Sequence, residues 1–256
     1  MDPSPDAADP TRAPARTFCL FRYLSATLRQ AALTRSRPLS QPLSTGSDQT
    51  PGLAEDPGLL SIADGIADPG WCVATGFLSS AEVSALVEEA AALRGQGAFR
   101  PAGVGRGQGL AVNPEVRSDQ ILWVDAATSG ASIRGYLARL EELRQTLNRE
   151  LFLGLEDFEG HLAIYPPGSF YRRHLDQFRG VERRTLSCIL YLNSDWQPDD
   201  GGALRIYVDP SDPERFAQVA PEGGTLVTFL SARFEHEVLP ARRERLSLTG
   251  WLRRRG

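Results

Sequence analysis

A chain of 256 residues, 41% hydrophobic and 23% charged, is long enough for one substantial core and has the composition of a globular protein. Its net charge of -4 gives no global attraction to nucleic acid or to anionic lipid, and no apolar run reaches the length of a bilayer span. All 28 basic residues are arginine, which reads as genome composition, and the three cysteines (Cys19, Cys72 and Cys188) form no CxxC pair, which argues for a reduced, cytoplasmic setting.

Residues 1–56 are rich in Pro, Ser, Thr, Ala and Asp and read as a poorly ordered leader. Six arginines and no acidic residue fall between Thr11 and Gly46, as in an organelle transit peptide, whereas Asp2, Asp6 and Asp9 fit a plain tail or an early start better. Phe18 to Leu28 could form one short helix. The folded domain is expected over 57–256, with helical support in 57–157 and a β core in 158–256.

Trp71 to Thr75 reads as a first strand. Ser79 and Glu82 have the spacing of a capping box, opening a helix through about Arg94 whose Val83, Leu86, Val87 and Ala90 share a face. Gly95 and Gly97 end it. The run Gly103 to Gly109 does not fit a dinucleotide loop, since no helical pattern follows it, and reads as a surface loop or a lid. Gln120 to Val124 is strand-like. A second helix is expected over Ser132 to Leu153, with Ile133, Tyr136, Leu137, Leu140, Leu143 and Leu147 on one face and Gly154 as its cap.

From Phe158 onward the pattern changes to short β-type segments: His161–Tyr165, Phe170–Asp176, Leu186–Leu192, Leu204–Val208, Thr225–Leu230, Glu235–Leu239 and Leu246–Leu252. Turn signals such as Pro166-Pro167-Gly168 and Asp209-Pro210 separate them. The implied fold is mainly β with supporting α: a double-stranded β-helix, or jelly roll, with N-terminal helices packed on one sheet.

Two of the chain's three histidines belong to one constellation. Residues i and i+2 of a strand point to one face, so His174 and Asp176 could grip a single ion, and His236 from a distant strand would add a second imidazole. Two nitrogens and one carboxylate on one side leave the opposite coordination positions open, which suits non-haem Fe(II). Alone, an acidic residue two positions after a histidine is a frequent coincidence. The strand opened by Arg245 raises its weight, because Arg245, Ser247, Thr249 and Trp251 share one face. A buried guanidinium requires an anion, which a dicarboxylate would supply with bidentate geometry.

Taken in order, Tyr165-Pro-Pro-Gly, Phe170-Tyr-Arg-Arg-His174-Leu-Asp176, Cys188-Ile-Leu-Tyr191-Leu-Asn-Ser-Asp-Trp196, Gly201-Gly-Ala-Leu-Arg-Ile-Tyr207, His236-Glu-Val and Arg245 resemble the 2-oxoglutarate- and Fe(II)-dependent prolyl 4-hydroxylases, the oxygen-sensing type and its bacterial relatives most of all. The resemblance runs from about residue 71 onward and is weaker before Asp119. It implies His174, Asp176 and His236 as iron ligands. It also implies Arg245 and Tyr191 on the distal carboxylate of 2-oxoglutarate, Tyr165 beside the keto acid, Thr249 touching it through water and Trp251 as a wall of the pocket. A salt bridge between Asp119 and Arg184, with Arg117-Ser-Asp119 and Trp123 following a mobile lid, is part of the same expectation.

The implied reaction couples oxidative decarboxylation of 2-oxoglutarate by O2, giving succinate and CO2, to hydroxylation of a substrate C–H, with ascorbate as a candidate reductant. A proline-containing protein or peptide is the leading substrate. A small molecule or another side chain is the runner-up, and a non-enzymatic cupin-like binding module is the reading from a different class. Asp176 fills the position that halogenases of the superfamily leave vacant. Trp251 stands where AlkB-like demethylases carry a second arginine, so nucleic acid is a poor partner; a membrane partner is not expected either.

Overall fold

The computed structural model describes residues 56–105, 111–177 and 183–255. The expected leader, the expected short helix over Phe18 to Leu28 and residues 106–109 of the glycine-rich run lie outside the described residues. Three helices, α1 (Pro57–Ala67), α2 (Ser80–Gly95) and α3 (Ala131–Leu151), precede or interleave the first strands: β1 (Trp71–Ala74), β2 (Arg100–Pro101) and β3 (Gln120–Trp123). The rest is β: β4 (Leu155–Tyr165), β5 (Tyr171–His174), β6 (Arg184–Tyr191), β7 (Leu204–Tyr207), β8 (Phe216–Val219), β9 (Leu226–Leu230), β10 (His236–Val238) and β11 (Arg245–Arg254). They form a seven-stranded sheet in the order β1-β9-β6-β11-β4-β3-β2 and a four-stranded sheet in the order β5-β10-β7-β8. Paired neighbours are antiparallel. This is the expected jelly-roll architecture.

Alternation along the central strands makes two cores. Leu162, Ile164, Leu186, Cys188, Leu190, Leu248 and Leu252 face the helices and pack with Leu59, Ile62, Leu86, Tyr136, Leu140, Leu143 and Leu147. The intervening residues, among them Ala163, Tyr165, Ile189, Tyr191, Val227 and Phe229, face the smaller sheet and meet Leu204, Ile206 and Val238. All the chemistry described below lies in this second, inter-sheet space. No helix among the described residues is long and apolar enough to cross a membrane.

The helices are held by caps that the sequence partly announces. Ser79 Oγ accepts from the Glu82 N–H at 3.3 Å while Glu82 Oε2 accepts from the Ser79 N–H at 2.8 Å, the anticipated capping box. The N-terminus of α3 is capped from a distance: the Glu89 carboxylate accepts from the Gly130 and Ser132 N–H groups at 2.7 and 3.0 Å. That helix stops at Leu151, with Phe152 in the left-handed region (φ 54) as its cap in place of the expected Gly154.

Four further features differ from expectation. The helix α1 was not anticipated, although Leu59, Ile62, Ala63 and Ile66 are buried at helical spacing and Asp56 caps it through the Gly58 and Leu59 N–H groups. The edge strands β2 and β8 were also missed; each is too short to display a clear alternation. Strand β4 begins at Leu155, ahead of the expected His161. Finally, β5 ends at His174, so Asp176 does not share a strand with it.

Where β4 and β11 pair, Gly160 faces Gly250 and the Phe158 ring lies across both. A Cβ on Gly250 would stand 2.4 Å from the Glu159 carbonyl oxygen as well as 2.4 Å from the ring, so backbone itself must yield. Gly250→Ala is expected to destabilise the protein by about 1–3 kcal/mol, as overpacking does. The measurement is the urea midpoint, and an unchanged midpoint would mean that the two strands are free to separate there.

Candidate metal and oxo-acid site

His174 closes β5, and His236 opens β10, directly opposite it in the ladder. Asp176 lies two residues beyond the end of β5, where the chain bends inward, so its carboxylate reaches the larger sheet. There Asp176 Oδ2 accepts from Ser187 Oγ of β6 at 2.6 Å, and Ser187 Oγ lies 3.0 Å from Ser231 Oγ. The convergence expected of His174 and Asp176 is therefore real, but it arises from a bend and not from strand periodicity. His174 Nε2 lies 3.5 Å from Asp176 Oδ1 and His236 Nε2 lies 3.6 Å from Asp176 Oδ2. One ligand atom from each of the three residues can be chosen so that all lie within 4.8 Å of one another.

The backbone orients both imidazoles. His174 Nδ1 is 2.7 Å from the Arg172 carbonyl and His236 Nδ1 is 3.2 Å from the Phe234 carbonyl. With Nδ1 as the donor, each Nε2 is left as a lone pair turned toward Asp176, the tautomer a metal requires. Stacking fixes the ring planes. Tyr171 lies parallel to His174 at 3.5 Å between centroids, and the Arg117 guanidinium sits 4.2 Å over Tyr171. Phe229 packs 4.7 Å from His236.

Electrostatics agrees with a site built for a cation. Burial would raise the Asp176 carboxyl, but the His236 and His174 imidazoles and the Ser187 hydroxyl bring it well below the ordinary carboxylate range. Burial, with the neighbouring His174, takes His236 down to about 4 against the pull of Asp176. At neutral pH the site therefore presents a carboxylate and an uncharged His236 imidazole.

The other half of the site lies on the same inner face of the larger sheet. Arg245 is 1% exposed, yet among the described residues its Nε donates to the Gly202 carbonyl alone, at 3.0 Å, and its Nη2 is buried without a partner. Gly202 has φ +66, and a Cβ there would stand 3.3 Å from Arg245 Cδ and 2.8 Å from Ala241 Cβ. The turn thus needs glycine to bring its carbonyl so close. Tyr165 and Tyr191 flank the guanidinium carbon, with ring centroids 4.9 and 5.0 Å away. Tyr191 Oη is also buried and unpartnered, and burial, opposed by Arg245, pushes the phenol up to about 12. Thr249 Oγ1 lies 3.2 Å from Ser247 Oγ on the same face of β11. A guanidinium and a phenol, both stripped of water and short of partners, fit a dicarboxylate by their donor chemistry.

Strand β6 joins the two halves, since it carries Ser187 against Asp176 and, four residues on, Tyr191 beside Arg245. All seven residues expected at the site (His174, Asp176, His236, Arg245, Tyr191, Tyr165 and Thr249) thus border the inter-sheet space. One expected contact is absent. Asp119 binds Arg117 through two hydrogen bonds of 2.7 and 2.5 Å, which occupy both its oxygens in a buried fork. Arg184 instead reaches Glu159 at 3.1 Å and lies 3.4 Å over the Trp251 ring. The Arg117–Asp119 pair supports Tyr171 and through it His174. Ser187 was not foreseen at all, although its position two residues from Ile189 on the inner face of β6 was readable.

The comparisons with known proteins match this geometry. Residues 160–253 fit the model of the 2OG-Fe(II) oxygenase superfamily. The chain is 31% identical over 189 residues to the mouse prolyl hydroxylase EGLN3 and covers 77% of that protein. This chain belongs to the prolyl hydroxylase type of 2OG-Fe(II) oxygenases. Human Egl nine homolog 1 is 33% identical over 190 residues, 71% of this chain, but the match covers only 43% of that protein, so the chain spans less than half of its length. Among solved structures, a Pseudomonas putida prolyl-4-hydroxylase is 46% identical with a TM-score of 0.70, covering 77% of this chain and 100% of that one. A Trichoplax adhaerens prolyl hydroxylase, solved with a peptide fragment of the hypoxia-inducible factor oxygen degradation domain, is 26% identical with a TM-score of 0.66 over 75% and 87%. Membership of this prolyl hydroxylase family implies Fe(II), 2-oxoglutarate and O2 as cofactors and cosubstrates, and the residues present fit them.

Two outcomes are expected of the site itself. Ser187→Ala removes the hydroxyl that steadies Asp176 and should weaken metal affinity roughly 10–100-fold, the usual effect of losing a partner behind a ligand, without unfolding the protein. Metal titration followed by fluorescence reads this. The metal-free protein should also lose stability as pH falls from about 6.5 to about 4. Across that window the unfolded chain binds protons at the positions of His236 and His161 (the latter brought down to about 3 by burial, Arg117 and Arg184), while the folded chain does not. The loss should reach several kcal/mol, and Asp176 adds its own only below about pH 4. Urea midpoints that stay flat across the window would show that these rings are not held neutral.

Proposed function

We propose that this protein is an Fe(II)- and 2-oxoglutarate-dependent dioxygenase that hydroxylates a prolyl residue of a protein, releasing succinate and CO2. The observation that carries the reading is the pairing, in one inter-sheet space, of an open two-imidazole, one-carboxylate face with a buried guanidinium that has no carboxylate partner among the described residues. In this assignment His174, Asp176 and His236 hold the iron. Arg245 and Tyr191 grip the distal carboxylate of 2-oxoglutarate, Tyr165 lies against its chain and Thr249 touches it through water. Ascorbate would serve as the reductant.

Bound iron, together with the keto acid and O2, would supply the oxidising power for removing a hydrogen and returning a hydroxyl. The protein's part is positional. The two Nδ1–carbonyl contacts and the Ser187 hydroxyl hold the ligand atoms in place before any ion arrives. Ligands confined to one side leave the opposite coordination positions for the keto acid and O2. The Arg245 cradle fixes the far end of the acid, and the apolar walls of Ile189, Val227 and Phe229 keep water out.

A prolyl substrate is supported by the names of the relatives, a proline-containing protein or peptide being the partner class. Nucleic acid and membrane remain poor partners on charge and on hydropathy, and the cytoplasm suits the reduced cysteines. The catalytic domain would be 57–256, with 1–56 as a leader. Purified protein with Fe(II), 2-oxoglutarate and a proline-bearing peptide library should release succinate and add the mass of one oxygen atom to proline. His174→Ala should lose turnover and metal binding but keep its circular dichroism. Oxygen added to a small molecule and never to a peptide would move the substrate to the runner-up class, and metal binding without any turnover would favour the binding module.

A further inference from the structure

The chain's remaining histidine has no task in this reading. His161 is 3% exposed and stands on the face of β4 that carries Ala163 and Tyr165. Its cross-strand neighbours are Thr249 on β11 and Trp123 on β3. Its Nδ1 is buried without a partner among the described residues. Its ring lies 5.0 Å from that of Trp123 and 5.7 Å from that of Trp251, whose Nε1 is likewise buried and unpartnered. If this layer were only a wall, an aliphatic side chain would fill it at lower cost than an imidazole with nothing to bond. Two orphaned ring nitrogens side by side point to a ligand.

The strands say which part of a ligand. Arg245 and Thr249 are four residues apart on β11, about 13 Å along the strand, so His161 lies well away from the guanidinium end. Trp251 is paired with Ser187, which holds Asp176. The His161 layer therefore borders the metal end of the pocket. Burial and the Arg117 and Arg184 charges bring the imidazole down to about 3, so at neutral pH it is uncharged and carries one N–H to donate.

We propose that His161 hydrogen-bonds the end of the oxo-acid cosubstrate remote from Arg245, at its keto and adjoining carboxylate oxygens, and so helps to favour a dicarboxylate that carries a 2-oxo group over one that does not. This rests on the functional reading above and assigns one more binding residue to it. Trp251 Nε1 is the second donor of the same subsite.

The test is anaerobic binding of 2-oxoglutarate to the Fe(II)-loaded protein, read by calorimetry and by the visible charge-transfer band that a chelated keto acid produces. His161→Leu should weaken 2-oxoglutarate binding on the order of tenfold, the cost of one hydrogen bond to a charged group, and shift the band. His161→Gln, which keeps a donor, should recover most of the affinity. Without the keto acid, His161→Leu should bind metal as the parent does and be at least as stable in urea, because an unsatisfied buried polar group is gone. Equal affinity and an unshifted band in His161→Leu would overturn the proposal, as would a loss of apo stability that glutamine does not repair. If the parent itself binds no 2-oxoglutarate, the functional reading falls and this inference with it; parent binding matched by the leucine variant sinks the inference alone.

Discussion

A guanidinium removed from water and given a single backbone carbonyl is the constraint on which the rest of the barrel depends. Arg245 could not stand inside the sandwich unless a second charge joined it, since an isolated buried ion is far costlier than any packing gain around it. The structure meets the problem halfway. Gly202 brings one acceptor close, and Tyr165 and Tyr191 place their ring faces beside the cation. What is left over is the shape of an anion. The fold thus stores binding energy as unsatisfied donors instead of closing them internally.

The two sheets divide the work. The larger sheet holds the proposed acid-binding end, with Arg245, Thr249 and Tyr191 on the neighbouring, paired strands β11 and β6. The smaller sheet supplies both imidazoles from short strands near its edge. Asp176 belongs to neither: it leaves β5 and is anchored by Ser187 on the larger sheet. That hydrogen bond, with the neighbouring Ser231, is where the proposed metal half of the site is fastened to the proposed cosubstrate half. The separation of the sheets, set by Ile189, Val227, Phe229, Leu204 and Ile206, then fixes how far the His174–Asp176–His236 cluster stands from Arg245.

Much of this was legible because a strand's period of two is rigid. Arg245, Ser247, Thr249 and Trp251 share a face in the structure for the reason that placed them together in the sequence. The capping box at Ser79 and the apolar face of α3 were legible in the same local way. Strand periodicity does not place Asp176 beside His174, since β5 stops at His174; the inward bend depends on a partner eleven residues later that no local pattern announces. The partner of Asp119 was misjudged for a related reason. Which arginine enters a buried fork depends on where side chains point, and Arg117, only two residues away, filled both oxygens first. Helix α1 carried its signal openly but began at Pro57, where leader-like composition masked it.

His161 shows the limit of reading polar residues one at a time. A lone histidine between apolar neighbours reads as packing, and nothing in Gly160-His-Leu-Ala suggests otherwise. Only the pairing of β4 with β11 brings it beside Thr249 and Trp251, and only the folded structure reveals that its Nδ1 is buried with no partner among the described residues. The same logic that makes Arg245 informative applies here at smaller cost: a buried neutral ring without partners forfeits about 1–3 kcal/mol, against the far larger penalty of a charge. Arg245 therefore makes the stronger demand for an anionic ligand, whereas His161 stands unpartnered at smaller cost. A pocket with one obligatory anchor and one optional contact at its other end would hold any short dicarboxylate by the first and discriminate among them by the second.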